Sequence, residues 1–194
     1  SLRNLGRNEE ALISIDKSLE LKYDDYYSWK WRGIVLSELD KYEEALTSLN
    51  KALEFKLNDD LSDLYYVWKW RSIIFNKLGQ YEEQLISIDK ALEFEINDDF
   101  HYACYDRGIA LKNLGRNEEA IASYDKALEF KPDLHEAWNK KACCYALQGN
   151  IEQALENLQQ AINLNPDKYR ESAKTNSDFD NIRHVKRFQS LIQG

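Results

Sequence analysis

The chain has 194 residues, 43% of them hydrophobic, with seven glycines and two prolines; it can bury a sizeable core and reads as one compact or repetitive unit, not as a disordered segment. A formal charge of -8 and a pI near 5.0 argue against the basic footprint on which nucleic-acid binding rests, so a partner of neutral or basic character is expected. No apolar run is long enough to span a bilayer and no charged-then-apolar segment opens the chain, which predicts a cytoplasmic protein without a membrane partner.

The segment LGRNEEALISIDKSLEL, from Leu5, predicts a helix with Leu12, Ile15, Leu19 and Leu21 on its apolar side, Gly6 sitting where a tight helix-to-helix turn needs a permissive backbone. YYSWKWRGIVLSEL follows as a second helix, and LDKYEEALTSLNKALEF, from Leu39, as a third. In the third, Ala45, Leu46, Leu49, Ala52 and Leu53 form the buried stripe, Glu43, Glu44 and Glu54 take the wet side, and Asp40 stands where a glycine is expected. LNDDLSD then adds five residues before Tyr65, so the helix DLYYVWKWRSIIFNKL is expected to start a turn early. LGQYEEQLISIDKALEF follows from Leu78. INDDF adds two residues before His101, and the aspartates of both insertions (Asp59, Asp60, Asp98, Asp99) suit helix capping and loop solvation. LGRNEEAIASYDKALEF, from Leu114, and QGNIEQALENLQQAINL, from Gln148, complete five ungapped copies of one segment. Their small-residue column is Ala11, Ala45, Gln84, Ala120, Ala154, spaced by 34, 39, 36 and 34 residues. The unit is a pair of antiparallel helices. Neither helix can bury its apolar face alone, and stacked pairs share a continuous core.

These residues resemble the tetratricopeptide repeat family, whose pattern W-x2-L-G-x2-Y…A-x3-F…P is met by Trp29, Gly33, Leu36, Ala45 and Leu49 and again by Trp138, Ala142, Tyr145, Ala154, Leu158 and Pro166. The resemblance implies an all-α, right-handed α-solenoid (superhelix) of antiparallel helix pairs. Its expected divisions are a partial repeat over 1–25, repeats over 26–58, 59–96, 97–133 and 134–167, and a capping helix with tail over 168–194. One departure is systematic: the leucine of W-x2-L is basic, as Arg32, Arg71, Arg107 and Lys141, and structural salt bridges to acids of a neighbouring helix are favoured over ligand contacts. The tail is similar to one that often closes bacterial arrays of this family. Tyr169 and Ala173 are its expected cover, Lys168, Arg170, Glu171 and Lys174 its wet side, and Phe179, Ile182, Phe188, Leu191 and Ile192 its anchors. The opposite end has no such cover, the chain opens midway through the pattern and it contains no methionine, so it is expected to be a piece of a longer protein.

At about 100° per residue the first helices have two working faces. Trp29, Gly33 and Leu36 form a core column, repeated as Trp68, Ser72, Phe75 and as Trp138, Ala142, Tyr145, with Cys104 in the tryptophan position of the fourth repeat. The other face, which in resembling folds lines a concave groove for partner peptides, carries Tyr27, Tyr66, Tyr102 and Glu136; Lys30, Lys69, Tyr105 and Asn139; and Trp31, Trp70, Asp106 and Lys140, with Ile34 and Ile73 one turn on. Aromatic rings beside lysines suit recognition because they offer large contact area at low entropic cost. Trp31 and Trp70 either receive ligand or pack between repeats. A family clamp for a carboxy-terminal carboxylate is not expected, because Ile34 and Ile73 occupy the asparagine positions it would need.

The leading expectation is a non-catalytic scaffold binding a peptide segment of a protein partner, with acidic groups of that peptide meeting Lys30 and Lys69. The alternative is self-association, giving a homo-oligomer through the amino-terminal edge at Leu12, Ile15, Leu19 and Leu21. Third stands an enzyme with Cys143, projecting toward the groove, as nucleophile. Catalytic residues, metal and cofactor are not expected: the three cysteines, two of them adjacent, read as small buried hydrophobes, and no serine, cysteine and histidine constellation, phosphate loop or H-E-x-x-H motif is present.

Overall fold

The computed structural model describes residues 2–55, 61–94 and 99–193, with the side chains of 2–5, 61 and 62 left aside. They form two units, Ser1–Ile96 and Asn97–Gly194, both all-helical among the described residues. The first holds α1 (Leu2–Leu21), α2 (Tyr26–Glu38), α3 (Tyr42–Glu54), α4 (Leu61–Leu78) and α5 (Tyr81–Leu92). The second holds α6 (Phe100–Asn113), α7 (Asn117–Phe130), α8 (His135–Leu147), α9 (Ile151–Leu164), α10 (Pro166–Thr175), a 3-10 helix (Ser177–Ile182) and α11 (Lys186–Gln193). Among the described residues, no helix is long and apolar enough to cross a membrane.

Each hairpin, α2 with α3, α4 with α5, α6 with α7 and α8 with α9, is closed by the same device. The turn residue is left-handed, at φ +58° for Asp40, +70° for Gly79, +75° for Gly115 and +74° for Gly149. The following amide then donates to the carbonyl five residues back: Lys41 to Leu36, Gln80 to Phe75, Arg116 to Leu111 and Asn150 to Tyr145, each at 2.9 Å. This satisfies carbonyls that the helix end leaves without a partner. Asp40 takes the conformation without glycine's freedom, and its carboxylate accepts from the Tyr42 hydroxyl at 2.6 Å. Gly6, expected to turn, does not: α1 runs through it from Leu2.

Close approach within a hairpin rests on the residue after the basic position. A Cβ at Gly33 would lie 2.6 Å from Leu49 Cγ, and one at Gly108 would collide with the Tyr124 ring. Between hairpins, α3 packs on α4, α1 on α2 and α7 on α8. The first unit's core gathers Tyr26, Leu36, Ala45, Leu49, Ala52, Val67 and Ile74, with Leu12, Trp29 and Trp70 packed against it. The insertion before Tyr65 has the expected effect, since α4 starts four residues ahead of Tyr65, about one turn. Asp59, Asp60 and Asp98, expected as caps, lie outside the described residues. Asp99, also expected as a cap, stands at the cap position of α6 without a side-chain cap hydrogen bond, whereas Asp25 caps α2, its Oδ2 accepting from the Ser28 amide at 2.8 Å, and Asn150 caps α9. Hydrogen bonding from the Ser28 side chain, with smaller help from the Ser28 amide and Lys22, holds the Asp25 carboxyl below the ordinary range.

The carboxy-terminal segment follows its expected anchors. Tyr169, Ala173, Phe179, Ile182 and Phe188 are buried in one cluster with residues of α8 and α9, and Leu191 and Ile192 pack at its edge. Arg183 ties the tail down: its guanidinium donates to the carbonyls of Ala173 at 3.2 Å and Asn176 at 2.9 Å and to that of Lys174, and it pairs with Asp180 at 2.7 Å. Cations at a helix carboxy terminus are favoured in this way. Lys112 of α6 pairs with Asp178 at 2.8 Å, both side chains largely covered.

Candidate functional site

The basic column is structural. Arg32 donates through Nε to Asp16 of α1 at 2.8 Å and through Nη1 to Ser48 of α3 at 2.9 Å, so one side chain joins its own hairpin to the preceding helix. Arg71 reaches back to Asn50, Lys141 pairs with Asp125 at 2.5 Å, and Arg107 donates to Ser123 of its own hairpin at 2.8 Å. The cation also lies over the ring three residues earlier, 5.8 Å from the Trp29 centroid for Arg32, 5.0 Å from Trp68 for Arg71 and 5.4 Å from Trp138 for Lys141. The first tryptophan of each W-K-W triplet is therefore a platform for the clamp. Trp29 Nε1–H donates to the Tyr23 carbonyl at 2.6 Å, and Trp138 Nε1–H to that of Pro132 at 2.9 Å.

The tyrosines of the second face stand open. Tyr27 is 44% exposed and Tyr66 38%, each set edge-on against a buried neighbour, Tyr26 at 5.2 Å and Tyr65 at 5.3 Å. Tyr102 of the second unit is 42% exposed beside His101. Each phenol ring is partly packed and partly open to water.

The lysine row is different. Lys30, expected to meet acidic groups of a ligand, is buried and paired with Asp63 in the first turn of α4. The insertion that lengthens α4 is what brings Asp63 there. Lys69 is half-buried, 5.6 Å from the Tyr65 centroid. Ile34 and Asn139 are buried below the surface where contact residues were expected, and Ile73, Asp106 and Lys140 are half-buried. Tyr105 packs on Tyr124 at 5.9 Å, and burial pushes its hydroxyl up.

The two second tryptophans part company. Trp70 is half-buried, packed on the cluster that includes Tyr26 and Leu36 of α2, whereas Trp31 is 53% exposed over a groove of about 430 Å³ between α1 and α2.

Cys143 does not face a groove. It is fully buried in the α8 and α9 core, accepts from Asn176 Nδ2 at 3.3 Å, and its thiol is pushed up to about 12, chiefly by burial. Cys144 is raised to about 12 and Cys104 to about 11 by the same cause. A thiol that stays protonated under a folded tail is a poor nucleophile.

Hairpins of this design, clamped and repeated, define a helical-repeat protein of the solenoid class. Family models described as tetratricopeptide repeat match residues 26–59, 101–134 and 135–168, together more than half of the chain. The chain belongs to the tetratricopeptide repeat (TPR) family. Among solved structures it is similar to YrrB, a TPR protein with an unusual peptide-binding site, at 28% identity and a TM-score of 0.74 over 89% of this chain and 86% of that one. It shares its fold with MamA from Desulfovibrio magneticus RS-1 (residues 41 to the end), at 21% identity and a TM-score of 0.75 over 86% of this chain and 90% of that one. A search of curated protein sequences returned no match. TPR proteins are in general non-catalytic interaction modules, and membership of the family supports a protein-interaction scaffold as the general role of this chain.

Proposed function

We propose that the chain is a non-catalytic adaptor whose first helices bind a peptide segment of a partner protein, with Tyr27 and Tyr66 of the first unit as the apolar anchors and Tyr102 repeating the chemistry in the second. The observation that carries this reading is the matched exposure of those tyrosines, each packed against the ring of the residue before it, edge-on for Tyr27 and Tyr66 and tilted for Tyr102, and left about 40% open. Large rigid rings presented to water at one position of successive repeats offer contact area without much ordering cost. The resemblance to YrrB supports the reading. Trp31 and Trp70 flank the tyrosines. Because Lys30 is engaged by Asp63, the partner segment is apolar in its main contacts and not selected by an acidic group at Lys30.

Selection of a random peptide library on the immobilised chain, followed by titration of the recovered peptides, tests it. Affinity should drop at least tenfold for a Tyr27→Ala, Tyr66→Ala double variant, since each ring contributes on the order of 1–2 kcal/mol at a contact of this kind. Peptides whose affinity ignores that change and ignores Trp31→Ala with Trp70→Ala would dismiss the reading.

Self-association through the edge of α1 is the second reading, favoured by the exposure of Ile13 and Leu21. Of the residues expected there, Leu12 instead packs on the first-unit core, Leu19 is buried and Ile15 is half-buried; Leu21 alone is fully open. Light scattering across concentrations, with Ile13→Glu and Leu21→Glu together as control, separates the two.

A further inference from the structure

Charge is unevenly distributed along the chain. Its formal total is -8, yet from Pro166 onward six lysines and arginines stand against four aspartates and glutamates. Part of that basic excess gathers on a groove of about 640 Å³ lined by α9, α10 and α11. α11 is seated there by Phe188, fully buried in the tail cluster, and by Arg187, whose Nη1 donates to both carboxylate oxygens of Glu152 at 2.7 Å. With Phe188 turned inward, Lys186 and Ser190 are left exposed, and both line the groove together with Arg170 of α10. Leu155, buried on α9, and the half-buried Leu191 give it apolar surface.

The three cations are not equally committed. Glu152, first through that hydrogen bond, and Glu156 more weakly raise the Arg187 guanidinium above its ordinary value, so both acids act on one base. Glu156 is the one acid lining the groove among the described residues. Lys186 and Arg170 have neither an ion pair nor a hydrogen bond among those residues, and the Arg170 Nε is covered yet still lacks an acceptor. Covered donors in folded proteins are as a rule paired, so a half-buried guanidinium without an acceptor asks for one. Gln160 and Ser190, equally unengaged, add neutral donors to the same groove.

We propose that this groove binds a small phosphate monoester with an apolar body. Two unpaired cations match the charge of about -1.5 to -2 that such a group carries near neutral pH. The planar Arg170 fork suits phosphate oxygens and Lys186 supplies a point charge beside it. The volume is that of an ordinary small-molecule site, and the apolar part of the ester rests on Leu155 and Leu191. Tyr27, Tyr66 and Tyr102 do not line this groove, so it stands or falls apart from the peptide reading.

The test uses phenyl phosphate as the probe, titrated onto the full chain at low ionic strength and followed by amide NMR spectra. Saturable shifts should centre on Gln160, Arg170, Lys186 and Ser190. Lys186→Gln and Arg170→Gln should each weaken binding about tenfold, whereas Glu156→Gln, which removes the one acid of the lining, should tighten it about threefold. Lys186 is exposed, so its variant keeps the fold; circular dichroism checks Arg170→Gln. Inorganic phosphate should bind more weakly than phenyl phosphate, and phenol should not bind. Equal affinity for inorganic phosphate would overturn the assignment to an ester with an apolar body. Absence of saturation up to about 50 mM, or an affinity indifferent to both Lys186→Gln and Arg170→Gln, would overturn the site itself.

Discussion

α1 and α9 are built on the same column of small and apolar residues, yet their surroundings differ. α9 lies against α8 on one side and against α10 and α11 on the other, with Phe179, Ile182 and Phe188 of the tail fully buried in the shared cluster. α1 lies against α2, with Ala11, Ser14, Ile15 and Ser18 lining the groove between them and Ser18 sharing a hydrogen bond with Ser28 at 3.0 Å. A repeat helix has two sides to satisfy, and the chain spends about thirty residues after Pro166 on doing so at one of its ends. Burying a phenylalanine or isoleucine is worth about 2–3 kcal/mol each, so the tail is part of the core it covers. The groove beside Trp31 shows what a repeat surface looks like without that cover.

The sharpest way to break the contrast is to loosen the covered end. Phe188→Ala should cost about 3–5 kcal/mol, read by urea denaturation through Trp138, the one tryptophan of the second unit; a cost below about 1 kcal/mol would show that the tail rests on the core without contributing to it. Next comes the pair that joins α2 to α4. Asp63→Ala strands Lys30 in a buried position and should cost about 3 kcal/mol, while Asp63→Ala with Lys30→Met should recover most of it. Equal costs for the single and double variants would mean that the charge of Lys30 is irrelevant. For the two W-K-W triplets, Trp70→Ala should cost about 2 kcal/mol and Trp31→Ala less than about 1, because only the first ring is packed.

Thiol chemistry then separates the units, since Cys104, Cys143 and Cys144 all belong to the second. Each is raised by burial above the ordinary thiol value of 9.0, to about 11 or 12. The folded state therefore binds these protons more tightly than the unfolded state, and stability is lost as pH rises from about 9 toward 12. Denaturation of the second unit should shift to lower urea over that window, by on the order of 1 kcal/mol per pH unit for each thiol, and iodoacetamide at pH 8 should label none of the three thiols before unfolding. The smallest effect is expected at the first hairpin. Asp40→Gly relieves a left-handed aspartate and should raise the first unit's stability by about 0.5–1 kcal/mol, less whatever the Tyr42 hydrogen bond contributes.

The repeat, its hairpins and the tail anchors were legible in the sequence because they are periodic: the column through Ala45, Ser48, Leu49 and Ala52 announces a buried face wherever it recurs. The basic column was legible too, and Arg32 and Lys141 do meet acids of the neighbouring helix. The candidate site was less so. Lys30 and Lys69 look equivalent in their triplets, but Asp63 lies 33 residues from Lys30 and reaches it only because an insertion lengthens α4 by a turn. Cys143 was expected at a groove because helical angles place it there; Asn176, arriving from a tail with no periodicity, covers it. Trp31 and Trp70 have nearly the same local sequence and differ in what lies next to their helices, which no window around either residue contains. Gly6 carries the motif of a turn, but α1 continues through it.

The clamp through Arg32, Arg71 and Lys141 bears on how such a chain can be rebuilt. Each cation seizes an acid or amide on the helix before it and leans on a ring of its own helix, so the joints within a unit share one chemistry although the modules differ in length. Whole modules cut at the left-handed turn residues should therefore be exchangeable, whereas a cut between a first helix and its predecessor would sever a cation from its counterpart and leave two mismatched fragments.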